Sequence, residues 1–376
     1  MGWFRKKPKQ QELAVQTVSA DSYNLIFGKW NVSDKCENRL YQSLRESVPI
    51  IDAAIYKTVR LAGGFRVICK DPAAQRIIDS LITNISVNGI SFGLDCFINE
   101  YFEQLLTYGT AVGEMVLDAN GDLAALYNCP LERIQLERGS APLDIRISAV
   151  SPLGEKTPVK YPQLILCSMI HPEPGSIYGT SVLRGLPFVS DIFLKIMNAV
   201  GTNWDRVGNV RFAVTYKPSD ADRSFSKERA MQIASEWSKA IKSPEPKDFV
   251  SVGDVSIKAI GADNQIPDSQ VPVRQILEQI TAKMAIPPFL LGLSWSSTER
   301  MSSQQADMLT SELEYYRRIL GGVIRKICTL ALSLNGVTED ISIEWDTITL
   351  QDEVELAKAR LYRARAEEIE LKNQKG

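Results

Sequence analysis

Histidine, paired cysteines and long apolar runs are nearly absent from this chain. Its 376 residues include one histidine, His171, and six cysteines without any Cys-x-x-Cys spacing. A zinc site needs several such ligands close together, so we expect no nitrogen- or sulfur-rich metal site within one chain. We expect His171 to be structural. The cysteines are expected to be reduced and buried, and they are Cys36, Cys69, Cys96, Cys129, Cys167 and Cys328.

No stretch approaches the ~20 consecutive apolar residues that a membrane-spanning helix requires. The N-terminal residues Met1 to Lys7 lack the apolar core of a signal peptide. The sequence therefore predicts a soluble protein. Residues 1–20 are polar, carry basic side chains and show no apolar periodicity, which predicts a mobile arm.

Neither sign of charge dominates, and the usual nucleotide-binding motif is missing. Lys and Arg number 43 against 45 Asp and Glu, a net charge of −2, so the chain does not grip nucleic acid through overall basic charge. Without a Gly-x-x-x-x-Gly-Lys-Ser/Thr loop, an ATP-driven motor is excluded. Asp118 and Asp122 fall in a predicted turn, which explains them without an acidic active site. We expect no enzyme activity and no cofactor.

A mixture of helical and alternating patterns predicts an α+β protein of two or three structural units. Apolar residues at helical spacing run from Leu94 to Leu105, and this helix is expected to end near Gly109. Residues 111–117 alternate, residues 118–122 have turn composition, and residues 123–127 return, which predicts a β-hairpin.

The middle third predicts two helical rods with a small βαββ unit between them. The first rod begins near Pro187 and ends near Gly208, and the second runs from Pro272 to just before Pro287. Between them we expect a strand at residues 211–216, a helix that Ser226 caps, and two short strands within residues 249–260.

The last third predicts a loop between rigid segments. Pro287-Pro288 stops the second rod, residues 293–301 have loop composition, and a long helix follows from about Ser302 to Leu334, capped by Ser302 or Ser303. Gly321-Gly322 is a natural point for this helix to bend. A strand is expected at residues 341–345, and the charged tail from Asp352 predicts a solvated helix.

This order of motifs resembles the portal proteins, or head–tail connectors, of tailed bacteriophages and prophages. Gly175 to Leu183 is similar to the "yGxSxL" motif that leads into the family's first stem helix. Tyr108 to Leu126 resembles its wing-domain hairpin, and the diproline with the loop after it resembles its tunnel region. The resemblance covers residues 40–350.

The resemblance implies a portal fold with a mixed α/β wing, a two-helix stem, a small βαββ clip, a tunnel loop and a long kinked helix. The expected divisions are a mobile basic arm at 1–20, the wing at 21–178, stem helix 1 at 179–207, the clip at 208–267, stem helix 2 at 268–286, the tunnel loop at 287–302, the long helix and wing return at 303–350, and a C-terminal helix, a reduced crown, at 351–376.

The resemblance also implies a function. Portal proteins form rings, usually of twelve subunits, at one vertex of the virion capsid, and a separate terminase packages double-stranded DNA through the channel. The implied partners are this DNA, the terminase large subunit, a head-completion adaptor and the major capsid or scaffold protein, with no membrane. Assembly would take place in the host cytoplasm.

Two groups of candidate residues follow from this resemblance. The tunnel-loop residues expected to line the channel are Ser294, Trp295, Ser296, Ser297, Thr298, Glu299 and Arg300. The residues expected at the clip and its adaptor interface are Arg211, Phe212, Trp237 and Phe249. The Trp295 ring either packs against a long helix or stacks on DNA, and the first reading is favoured.

Two other functions remain open at the level of sequence. One is a ring or scaffold protein of a phage-derived particle that never conducts DNA. The other is a metal-free hydrolase that uses carboxylates. Electron microscopy of the purified protein separates the three by the presence of a ring and of a hole wide enough for a duplex.

Overall fold

The computed structural model describes residues 34–140, 144–208, 211–217, 228, 231–235, 254–260, 269–293 and 299–348. The chain divides into two compact units, residues 1–188 with 284–376 and residues 189–283. Helices and strands alternate in the first unit, and its sheets are mainly antiparallel. The predicted α+β class is therefore confirmed.

Helices and strands of the first unit occur in a fixed order along the chain. The helices are α1 Asp34–Ser47, α2 Pro49–Leu61, α3 Pro72–Asn84, α4 Leu94–Tyr108 and, after the second unit, α7 Glu299–Leu334. The strands are β1 Phe65–Cys69, β2 Ser86–Val87, β3 Ser91–Phe92, β4 Thr110–Leu117, β5 Leu123–Asn128, β6 Ile134–Arg138, β7 Ile145–Val150, β8 Lys156–Pro158, β9 Ile165–Met169 and β12 Ile341–Trp345.

A five-stranded sheet in the order β3-β2-β5-β4-β9 packs against α4. The predicted helix is confirmed, and its apolar stripe from Leu94 to Leu105 is buried. The predicted hairpin is confirmed as the antiparallel pair β4 and β5. Gly113 has no room for a side chain, because a Cβ there would lie 2.6 Å from the Phe97 ring. The helix can approach the sheet closely only because this position is glycine.

Two smaller sheets complete the first unit. Strands β6, β7 and β8 form an antiparallel sheet. Its apolar residues Ile134 and Ile147 pack on Val112 and Ile165 of the large sheet. Strands β1 and β12 form an antiparallel ribbon in which Phe65 pairs with Trp345 and Cys69 with Ile341. The ribbon joins parts of the chain that are far apart in sequence.

A segment from Tyr178 to Leu183 straps the end of β9 to the corner between α4 and β4. The backbone N–H of Gly179 donates to the Thr110 hydroxyl at 2.8 Å, and that of Val182 donates to the Leu106 carbonyl at 3.3 Å. The buried Ser181 hydroxyl donates to the Thr107 carbonyl at 2.6 Å. A Cβ on Gly179 would lie 1.9 Å from the Gly109 carbonyl oxygen. This strap is most of the motif that resembled the portal family.

Arg317 of α7 joins three elements of the first unit from a buried position. It is 7% exposed; its Nε donates to the Ala62 carbonyl at 2.8 Å and its Nη2 to the Asp346 carbonyl at 2.7 Å. The guanidinium also lies over the Trp345 ring. Burial lowers the pKa of Arg317 from its usual value. Both hydrogen bonds satisfy backbone carbonyls that lie just past the end of an element, Ala62 after helix α2 and Asp346 after strand β12.

The second unit holds the two predicted rods and a β-ribbon. Helix α5 is Leu186–Gly208, which begins in the last residues of the first unit, and helix α6 is Gln270–Lys283. Strands β10 Arg211–Lys217 and β11 Asp254–Ile260 pair antiparallel along their whole length. Residues 231–235 are helical. The predicted strand at 211–216 is confirmed; of the residues 249–260 predicted as two strands, those from 254 onward form one strand.

Two expectations about single residues need correction or refinement. Cys96 and Cys167 are exposed, so the prediction that all cysteines are buried is wrong, although Cys69, Cys129 and Cys328 are buried. Both exposed thiols lie on amphipathic elements at positions that turn away from the core. His171 has a φ of 44° and its ring stacks on Tyr315 at 5.6 Å between centroids.

Substitution of Gly179 by Ala tests the strap. We expect the free energy of unfolding to fall by about 2–3 kcal/mol, because the new methyl group forces the two backbones apart. Thermal and urea unfolding of the purified chain measure this. The control is Gly201→Ala in α5, where a Cβ meets nothing within 4 Å and which should be neutral or slightly stabilising. Equal stabilities for both variants would contradict the close approach.

Arg317→Lys and Arg318→Lys form a matched pair at adjacent positions. Lysine cannot reach two carbonyls with one rigid fork, so Arg317→Lys should lower the free energy of unfolding by about 1.5–3 kcal/mol. Arg318 is exposed, and its replacement should change the value by less than about 0.5 kcal/mol. Urea unfolding midpoints compare the two, and similar losses would show that the buried bonds contribute little.

Candidate functional site

The predicted channel-lining loop is held at its first end by a rigid turn. Residues 288–291 form a 3₁₀ turn after Pro287, and Gly292 ends it in the left-handed region with a φ of 77°. The Gly292 N–H donates to the Phe289 carbonyl at 3.2 Å and the Leu293 N–H to the Pro288 carbonyl at 3.0 Å. The predicted stop at the diproline is thus realised as a closed turn rather than as extended chain.

The second end of the loop is the start of α7. The structure begins this helix at Glu299, so the prediction that the loop continues to Met301 and that Ser302 or Ser303 caps the helix is wrong. Glu299 places a carboxylate in the first turn, which suits the partial positive charge of a helix N-terminus. Helix α7 then runs without interruption through Gly321-Gly322 to Leu334.

Both ends of the loop are attached to one core. Met284 and Ile286, just before the turn, are buried, and so are Leu309 and Leu313 in about the third and fourth turns of α7. A cavity of about 10 Å³ is lined by Met284, Leu309 and Tyr316 among others. Tyr316 packs on Phe102 at 5.2 Å between centroids, and burial raises its pKa. The loop therefore has fixed endpoints.

The predicted site residues are only partly within the described chain. Ser294, Trp295, Ser296, Ser297 and Thr298 lie outside the described residues, and Glu299 and Arg300 are the first two residues of α7. Trp237 and Phe249 also lie outside them, whereas Arg211 and Phe212 open strand β10. The structure thus places Arg211 and Phe212 on the β10–β11 ribbon and Glu299 and Arg300 at the start of α7. The assignment of these residues to a clip and a channel stays a prediction.

Helix α5 carries a feature that sequence reasoning did not use. From Asp191 to Trp204 no residue of this helix is buried. Its large apolar side chains include Ile192 and Met197, both 36% exposed, and Trp204, which is 62% exposed. An apolar stripe on an amphipathic helix normally faces a core, but this one is only partly covered within the described chain, since Phe193, Ile196 and Val200 are half-buried. The stripe itself was visible in the sequence; its exposure was not.

Charged clusters in the first unit are structural in character. Arg45 makes 2.7 Å ion pairs with Asp52 and Glu103 and a hydrogen bond to the Thr107 hydroxyl. Burial alone would lower its pKa, but the hydrogen bonds to the two carboxylates outweigh it and the pKa is raised. A polar groove of about 350 Å³ is lined in part by Tyr41. Burial of the Tyr41 hydroxyl, together with the nearby Glu37 carboxylate, raises the pKa of Tyr41 to about 12. Arg184 and Glu173, which also line this groove, form an ion pair with each other.

No helix of the described chain is long and apolar enough to cross a membrane. No family model matches this sequence, and neither does any curated protein. Similarity appears at the level of three-dimensional structure.

Solved structures of gene transfer agent particles contain similar chains. A chain of the virion of a native gene transfer agent particle matches with a TM-score of 0.65 and 14% identity, over 90% of this chain and 90% of its own. A chain from the neck of the native particle, computed with C12 symmetry, gives 0.59 and 15% over 85% and 89%.

An HK97 family phage portal protein from Corynebacterium diphtheriae aligns at 10% identity over 81% of this chain and 93% of its own. Its TM-score of 0.43 is below the level at which two folds can be equated. The likeness to the gene transfer agent chains establishes the fold. The predicted α+β class is confirmed, and the chain shares its fold with chains of gene transfer agent particles.

Proposed function

We propose that this chain is the subunit of a portal ring, a channel through which DNA is packaged into a capsid by a separate motor and later ejected. The role is structural rather than enzymatic. The fold supports it, since the match to a gene transfer agent virion chain extends over nine-tenths of both chains.

The observation that carries this proposal is the partly exposed apolar stripe of α5. Burying a large aromatic or aliphatic side chain contributes about 1.5–3 kcal/mol, so exposed Ile192, Met197 and Trp204 represent a large unused driving force in one copy. Copies arranged around a symmetry axis bring such stripes against one another's surfaces. The similar neck chain comes from a particle computed with C12 symmetry, which supports a ring of twelve.

The loop between Gly292 and the start of α7 supports a role in lining a channel. A segment with both ends fixed in a packed core and a composition rich in Ser and Thr suits a surface that touches a moving polymer. Residues 293–298 carry no charge, and the charges of Glu299 and Arg300, which follow at the start of α7, nearly cancel. Each neutralised phosphate adds about 0.9 to the slope of binding against salt, so one unpaired lysine per subunit, repeated around a ring, would make duplex DNA adhere. A channel through which DNA must move is therefore better lined without unpaired positive charge.

We assign the clip, including Arg211 and Phe212, to docking of a head-completion adaptor, and the ring as a whole to binding the terminase large subunit and the capsid or scaffold protein. The protein would act at the portal vertex of the virion after assembly in the host cytoplasm. The similarity to virion and neck chains supports this placement.

Electron microscopy and mass photometry of the purified chain test the ring directly. We expect rings with a central hole wide enough for duplex DNA. Trp204→Glu should abolish them while the circular dichroism spectrum stays unchanged, because a carboxylate cannot be buried between copies. The matched control is Leu153→Glu, an apolar-to-acidic change at a position 89% exposed in a turn, which should leave rings intact.

A folded monomer at all concentrations would contradict the proposal. Particles without a hole would favour the non-conducting scaffold instead.

Glu299→Lys tests the channel. The substitution adds a ring of positive charge, so DNA movement should slow or stall, most at low salt where screening is weakest. The measurement is packaged-DNA yield and retention in particles that carry the variant, beside the melting temperature of the isolated ring, which should hardly change. Glu299→Gln, which removes a charge without adding the opposite one, serves as control. A large drop in melting temperature with normal packaging would assign these residues to folding.

A further inference from the structure

The β1–β12 ribbon has two edges, and a side chain closes the one along β1. The Gln75 amide oxygen accepts from the Cys69 N–H at 2.7 Å, and the Gln75 amide nitrogen donates to the Val67 carbonyl at 3.0 Å. A neighbouring strand would make these two bonds. Exposed strand edges invite pairing with other chains, so this cap keeps a further strand away from β1.

Side chains also occupy backbone groups along other outer strands. The Tyr178 hydroxyl accepts from the Leu136 N–H at 3.0 Å and donates to the Leu136 carbonyl at 3.3 Å. Leu136 is the middle residue of β6, an outer strand of the three-stranded sheet. On β9, an outer strand of the five-stranded sheet, the Ile165 carbonyl accepts from the Lys326 ammonium at 2.7 Å. The first unit thus blocks strand pairing at several of its edges.

The edge along β12 is open. Because Gln75 bonds to odd-numbered residues of β1, the polar groups of the even-numbered residues are the ones that pair the two strands. Ser342 and Glu344 therefore bond to β1, and the N–H and C=O groups of Ile343 face away from it. Within the described chain, no group bonds to this N–H or this C=O.

Helix α7 runs beside β12 and leaves room at the open edge. A Cβ on Gly321 would lie 3.9 Å from Ile343 Cδ1, and one on Gly322 would meet nothing within 4 Å. Near the beginning of β12, Arg325 Nη1 donates to the Ile341 carbonyl at 3.1 Å. The free backbone groups of β12 are thus bordered by a helix surface on which Gly322 leaves open space.

Two arginines border this space. Arg318 and Arg325 are seven residues apart, so they share one face of α7, with Gly322 between them. Both are exposed, and within the part of the chain that the structure describes neither forms an ion pair with a carboxylate. Glu314 lies one turn before Arg318, so this face still carries an excess of positive charge. The exposed Glu344 points to the other face of the ribbon.

The spacing of the two arginines indicates which strand would fit. Arg318 and Arg325 are ~10 Å apart along the helix axis at ~1.5 Å per residue. Residues i and i+4 of an extended strand lie ~13 Å apart on one face, a difference that long arginine side chains can span. Carboxylates at i and i+4 therefore match the two guanidinium groups. A small or apolar residue at i+2 fits over Gly322.

Other occupants match this edge less well. Two copies joined through β12 would bring their arginine pairs close together, and like charges across an interface are unfavourable. The phosphates of a nucleic acid would pair with the arginines, but they have no donor for the Ile343 carbonyl. An acidic polypeptide strand satisfies both the charges and the backbone groups.

We propose that the β12 edge binds an extended acidic segment of a partner protein, which adds to the ribbon as a third strand. Main-chain hydrogen bonds to Ile343 supply affinity, as in other complexes formed by strand addition. Pairing of two carboxylates with Arg318 and Arg325 sets the register and the preference for acidic sequence. This binding concerns a single copy and does not depend on the proposed ring.

Binding of a synthetic peptide to the full-length protein tests the proposal. The probe is fluorescein-labelled Thr-Glu-Thr-Val-Thr-Glu-Thr, whose carboxylates are at i and i+4. In fluorescence anisotropy at low salt we expect saturable binding with a Kd below about 1 mM. Arg318→Glu should raise the Kd at least about tenfold, because an attraction becomes a repulsion. Lys57→Glu, at an exposed cation of α2, is the matched control and should bind as the wild type does.

Two altered peptides separate the main-chain bonds from the charges. Lysine in place of both glutamates should abolish binding. N-methylation of the central valine keeps every charge but removes the N–H that would donate to the Ile343 carbonyl, so it should also raise the Kd at least about tenfold. Equal affinity of the methylated and unmethylated peptides would reduce the contact to charge attraction and overturn the added strand.

Hydrogen–deuterium exchange at single-residue resolution locates the added strand. Without peptide, the Ile343 amide should exchange fast, while the amides of Ser342 and Glu344, which bond to β1, should be protected. Saturating peptide should slow exchange at Ile343 at least about tenfold. An Ile343 amide that is protected without peptide would show that this chain or a second copy already covers the edge. That result, or the absence of saturable binding, would overturn the proposal and leave the portal proposal standing.

Discussion

The contact between Gly179 and Gly109 is the constraint on which the rest of the first unit depends. Two backbones meet there without a side chain between them, and a Cβ on Gly179 would lie 1.9 Å from the opposite carbonyl oxygen. The contact fixes where α4 ends, where β4 begins and where the chain leaves β9 for α5. The hydroxyls of Thr110 and Ser181 satisfy the polar groups that this close approach removes from water.

Segments with strong periodicity could be predicted from sequence, because a single face decides their burial. Helix α4, the β4–β5 hairpin and most of α7 belong to this group, and each carries a strong end signal such as Gly109. The β1–β12 pairing and the three-stranded sheet could not be predicted. Their partners are chosen by contacts between distant residues, which leave no local pattern. Cys96 and Cys167 were misjudged for the same reason, since cysteine packs on either side of an amphipathic element.

In the candidate site, the sequence predicts where the loop begins, but not where it ends. Pro287-Pro288 and Gly292 have strict backbone preferences, so the turn could be anticipated. The start of α7 could not, because Ser302 and Ser303 are good capping types, yet the helix begins before both of them. The exposure of the α5 stripe likewise depends on what the rest of the chain leaves uncovered.

The side-chain cap on β1 has a consequence for how copies can accumulate. A ribbon open on both sides could add strands without limit and grow into a fibre of stacked sheets. The Gln75 side chain accepts from the Cys69 N–H and donates to the Val67 carbonyl, so strands cannot be added along β1. Growth through both edges of the ribbon is thereby blocked by one glutamine.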